Sequence, residues 1–102
     1  MLIKNAILDQ IKAGEITLIF RRWRKCGVKA GGTQMTQRGV MGIDAVDVVT
    51  ERKITASDAA AAGFGSKAEL LASMPPASDD TDIYRIGVHW VGEDPRKALR
   101  AD

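Results

Sequence analysis

Four cations and an indole stand within five consecutive positions of this chain: Arg21, Arg22, Trp23, Arg24 and Lys25. A guanidinium pairs with phosphate or carboxylate through two parallel N–H bonds, and an indole offers a flat face on which a base stacks. The combination suits an anionic, ring-bearing ligand: RNA or a nucleotide. It also describes a solvated strand end on which Trp23 acts as a lid over the core. The cluster closes the apolar stretch Gly14 to Phe20, GEITLIF. Strand side chains alternate between faces. Thr17, Ile19, Arg21 and Trp23 therefore share one side, while Ile16, Leu18, Phe20, Arg22 and Arg24 share the other.

A second group comes from the stretch Thr81 to Val91, TDIYRIGVHWV. Tyr84, Ile86, Val88 and Trp90 form an apolar face and are expected in the core. Arg85 and His89 fall on the opposite face, with Gly87 between them, and add a cation and an imidazole to the candidate binding set. Other chemistries are poorly supplied. The chain holds one cysteine and one histidine, whereas structural zinc needs four such ligands. No metal, no cofactor and no catalytic residue is assigned on these residues. Oxygen ligands for Mg²⁺ from Asp44, Asp47 or the Asp79, Asp80, Asp82 run are unspecific.

The charge distribution agrees with an anionic partner. The net charge is only +2 over 102 residues, but it is uneven. Residues 1–40 carry eight basic side chains against Asp9 and Glu15, or +6, and the remainder sums to −4. A membrane surface is a poorer fit, since no basic amphipathic helix accompanies the charge. No apolar run reaches the roughly 20 residues that span a bilayer. The N-terminal residues lack the features of a signal peptide, and a single thiol, Cys26, fits a reducing cytoplasm.

The elements that must position these residues can be read in order. Ile3, Ile7 and Ile11 recur at helical spacing over Lys4 to Ala13, and Gly14 is a natural stop. The basic strand follows. Cys26 to Thr33 is turn chemistry, a short strand is expected over Thr33 to Thr36, and Gly39 to Val49 is a longer one with a bulge near Ala45 and Val46. Thr55 to Ala62 reads as a helix ended by Gly63 and Phe64. The run Ser66, Lys67, Ala68, Glu69 is a capping box opening a third helix, which Pro75 and Pro76 end. The last strand follows an acidic loop, and Asp94-Pro95 starts a helical turn. One domain is expected over 1–102.

This order of residues resembles an ASCH domain, a family of PUA-like β-barrels. The resemblance rests on Gly14 with Thr17 and Arg21, on Thr55, Asp58, Ala59, Gly63 and Phe64, on Ser66, Glu69 and Leu70, and on a strand opening at Tyr84. The tail from His89 through Asp94, Pro95 and Arg96 to Leu99 and Arg100 is similar to that of a bacterial subgroup. The resemblance implies an α+β fold: a small, mostly antiparallel barrel of five or six strands with short flanking helices, RNA binding, and a cleft beside the barrel with Arg21 at its wall, on the face of the matching Thr and Arg positions, and Arg22 and Arg24 on its rim. Some members resemble amidohydrolases of acetylated cytidine, which use a Lys and a Thr. At the matching positions this chain has Ile16 and Ile19, although Glu69 could take the place of the acid. The leading expectation is a non-catalytic RNA- or nucleotide-binding module using Thr17, Arg21, Arg22, Trp23, Arg24, Lys25, Arg85 and His89. The alternatives are a small hydrolase of nucleoside derivatives, a metal-dependent ribonuclease, or an interaction module for an acidic protein.

Overall fold

The computed structural model describes residues 3–92, and the expected turn at Asp94 with the tail motif lies outside them. The fold is α+β. Helix α1 (Asn5–Lys12) is followed by β1 (Leu18–Trp23), β2 (Thr33–Met35) and β3 (Val40–Val49). A 3-10 turn (Glu51–Lys53), helices α2 (Ala56–Ala61) and α3 (Lys67–Ser73), and β4 (Asp82–Gly92) complete it. The 3-10 turn has no counterpart in the sequence reading.

The helix ends are set by local chemistry. Gly14 follows α1 with φ +81°. Its N–H donates to the Ile11 carbonyl and the Glu15 N–H to the Gln10 carbonyl, a Schellman stop that turns the chain directly into β1. Helix α2 opens with a reciprocal box between Thr55 and Asp58. It closes with the same kind of stop, Gly63 to Ala60 and Phe64 to Ala59. Ser66 caps α3 by accepting from the Glu69 N–H. The Glu69 carboxylate accepts instead from the Gly65 N–H, at 2.9 Å, so the return bond of the expected box reaches one residue further back.

The four strands form one antiparallel sheet in the order β1-β4-β3-β2. Among the described residues the sheet is a curled half-barrel of four strands, with β1 and β2 at its edges, where five or six strands were expected. Two register shifts in the β3–β4 pairing, between Val40 and Met41 and between Ile43 and Ala45, interrupt the ladder. The second makes Asp44 the extra residue, one position before the slip read from the sequence.

Apolar side chains fill both sides of the sheet. On one side Ile19, Ile43, Ile86 and Val88 pack with Leu8 and Ile11 of α1 and with Ile16. On the other, Phe20 and Ile83 pack with Ile54, Ala59, Ala62, Leu70 and Met74. Each aliphatic side chain so buried contributes about 1.5–3 kcal/mol relative to exposure. The face of β4 read as outward is thus covered at its Ile83 end and open only toward His89. Gly63, just after α2, packs closely on Ile16, two residues before β1. A Cβ at that position would lie 2.7 Å from Ile16 Cδ1, and φ there is +88°.

Candidate functional site

An edge strand between two helical layers leaves a groove. A cavity of about 520 Å³ runs along β1 and is lined by Leu18 through Trp23. Ile3, Lys4 and Ile7 line it at the α1 end, and Ala62, Phe64, Ser73, Met74 and Pro75 on the other side. Because β1 is at the edge, side chains from both of its faces reach this groove. That explains why Arg21 and Arg22, which point in opposite directions, both belong to it.

Arg21 is half-buried, and desolvation lowers its guanidinium pKa from the ordinary value. Its Nη1 donates to the Phe20 carbonyl at 3.0 Å. Arg22 departs from the rim position expected of it. Its side chain is only 9% exposed and its Nη2 donates to Glu51 Oε1 at 3.1 Å. The cause is tertiary: the 3-10 turn brings Glu51 over the face on which Arg22 lies. The Arg22 Nε–H is enclosed and has no acceptor among the described residues. Trp23 is partly buried against the α1-side cluster. Its ring is tilted against Tyr84, 5.7 Å between centroids.

The other sequence candidates lie elsewhere. Arg24 is 78% exposed and paired with Asp80 at 2.9 Å, and Lys25 is exposed beside it. Neither lines the groove. Thr17 is exposed at the entry to β1, its N–H donating to the Ala61 carbonyl and its carbonyl accepting from the Val88 N–H. Arg85 stands opposite Phe20 in register and lies near Asp47 and Asp58, at 3.7 and 3.8 Å. His89 Nδ1 is 2.7 Å from Asp44 Oδ1. The imidazole lies over Gly42, where a Cβ would collide with it.

The structure therefore brings Arg21, Arg22 and Trp23 together and separates them from Arg85 and His89. Lys4, Glu51, Phe64 and Met74 complete the surroundings. Of these, Phe64 left a trace in the sequence, as the apolar residue after a glycine helix stop. Among the described residues no group of three or more His, Cys, Asp or Glu could hold a metal ion. No helix among them is long and apolar enough to cross a membrane. Ile16 and Ile19 are buried in the core, and the Glu69 carboxylate accepts from the Gly65 N–H.

The chain matches no family model, no curated protein and no solved structure.

Proposed function

We propose that this protein is a cytoplasmic RNA- or nucleotide-binding module of the ASCH, PUA-like kind, and that a nucleotide occupies the groove along β1. The observation that carries the reading is Arg22. It is a largely buried guanidinium in the groove wall, oriented by Glu51, with an Nε–H that finds no acceptor among the described residues. A buried unmet donor costs about 1–3 kcal/mol, so stability alone does not account for an arginine there. Arg21 and Lys4 line the same groove and add positive charge. Phe64 and Trp23 supply aromatic faces. The cavity is within the roughly 300–1,000 Å³ of small-ligand sites, a size suited to one nucleotide.

In this reading Arg21 and Arg22 take the phosphate, and the ring system lies among the apolar residues. Arg24 and Lys25, outside the groove, meet the backbone of a longer chain. The open antiparallel sheet, interrupted by two bulges, supports the PUA-like assignment. Titration of a mononucleotide and of a labelled single-stranded RNA at several salt concentrations tests the function. Arg21→Ala is expected to abolish mononucleotide binding. Arg24→Ala is expected to weaken RNA alone and to reduce the salt slope by roughly one unit. An acidic protein partner is the answer instead if neither nucleic-acid ligand binds and an acidic polypeptide does.

A further inference from the structure

We infer that a nucleobase in this groove is read by the main chain of β1, through the Leu18 carbonyl and the Phe20 N–H. This rests on the nucleotide reading of the groove and adds which part of the ligand is recognised and by what. Register decides which main-chain groups are available. The Val88 N–H donates to the Thr17 carbonyl at 2.9 Å, and the β1–β4 pairing continues in the same register from Leu18↔Gly87 to Trp23↔Asp82. Hydrogen-bonded and non-hydrogen-bonded pairs alternate in an antiparallel ladder. Ile19, Arg21 and Trp23 therefore turn their N–H and C=O groups toward β4. Leu18, Phe20 and Arg22 turn theirs away from it, to the edge on which no strand pairs among the described residues.

A separate contact agrees. The Phe20 carbonyl accepts from Arg21 Nη1, so it faces away from β4. That bond also narrows the choice. With the Phe20 carbonyl occupied, the Leu18 carbonyl and the Phe20 N–H remain as an acceptor and a donor on consecutive outward positions. Both residues line the groove. Ile7 and Phe64 line it too, and each packs against the cluster on a different side of the sheet, so the edge is flanked rather than bare. Soluble proteins normally blunt a free strand edge, and main-chain groups away from water require partners.

Adenine and cytosine meet this pair in kind, with an amino donor beside a ring-nitrogen acceptor on the Watson–Crick edge. The amino group donates to the Leu18 carbonyl, and the ring nitrogen accepts from the Phe20 N–H. Enzymes that take up an extruded base read that same edge by hydrogen bonds. Arg21 and Arg22, further along the strand, hold the phosphate.

The test uses AMP, 1-deaza-AMP, which replaces the ring acceptor by C–H, and ribose 5-phosphate. They are titrated against the protein and against a form with phenyllactate in place of Phe20, which exchanges the outward N–H for an ester oxygen and keeps the side chain. Circular dichroism checks the ester form, whose Ile19 carbonyl becomes a weaker acceptor. The ligand series on the unmodified protein stands without it. AMP is expected to bind about tenfold more tightly than 1-deaza-AMP, and the ester form is expected to lose about the same factor for AMP alone. Equal affinity for AMP and 1-deaza-AMP overturns the inference. If ribose 5-phosphate binds as tightly as AMP, the phosphate site stands and base reading falls. If no nucleotide or sugar phosphate binds, both readings fall. Binding of an extended acidic peptide that is lost in the ester form assigns the edge to strand pairing and overturns base reading.

Discussion

The chain presents arginine in two places that look alike on paper, at the end of β1 and on the outer face of β4, and the fold treats them differently. Arg85 sits on the sheet with Asp47 and Asp58 nearby, and His89 sits on Asp44. These groups are at least a third exposed on the basic side, and such pairs contribute about 0–1 kcal/mol. Arg22 also has a carboxylate, but its guanidinium is enclosed and incompletely met, and it borders a cavity. The difference is one of position in the sheet. A cation on a central strand is ringed by its neighbours' side chains. A cation on an edge strand has a neighbour on one side only, and here the other side is a groove.

The contrast can be broken or sharpened in three steps. The largest effect is expected at Phe20, which stands beside Arg85 in register and also lines the groove. It is buried among Leu70, Ile83 and Met74, so Phe20→Ala should cost about 3–5 kcal/mol in urea unfolding. A loss below about 1 kcal/mol would mean that the α2–α3 layer does not hold this side of the sheet. Next comes the pair Arg22→Met and Arg85→Met, which removes one charge in each region and keeps an apolar stem. Arg22→Met should weaken AMP binding by about 1.5–3 kcal/mol, the range for hydrogen bonds to charged groups. Arg85→Met should leave AMP affinity within about twofold, which is under about 0.5 kcal/mol. Equal losses would erase the distinction between the regions. The smallest effect is expected for Gly42→Ala. The new Cβ displaces the His89 ring from its place beside Asp44, and an exposed side chain yields cheaply. Stability should change by no more than about 1 kcal/mol, while the His89 ring resonances shift in NMR spectra and AMP affinity stays constant.

The α1 helix, its glycine stop, the basic strand, the capped α2 and α3 and the apolar face of β4 were all legible in the sequence, because each depends on neighbours within a few residues. The Gly14 and Gly63 stops are of this kind: a position that needs positive φ is written locally. The bulge on β3 was legible to within one residue, since a slip in alternation shows that an extra residue exists but not which one is extruded. Arg21 as a groove residue was also legible. Arg22 on the rim was not, because its burial depends on Glu51, 29 residues away.

Alternation along a single strand fixes which side chains share a face, and it did so here for Arg21 with Trp23 and for Arg85 with His89. It carries nothing about what stands opposite, since cross-strand partners come from distant parts of the chain. Only the tertiary structure decided that β1 lies at the edge of the sheet and β4 in its middle. That choice settled which cations meet a groove, which meet carboxylates, and which main-chain groups are left unpaired. The physical reason is that strand order is fixed by how two apolar clusters are buried on opposite sides of one sheet, and every residue of both clusters takes part in that burial.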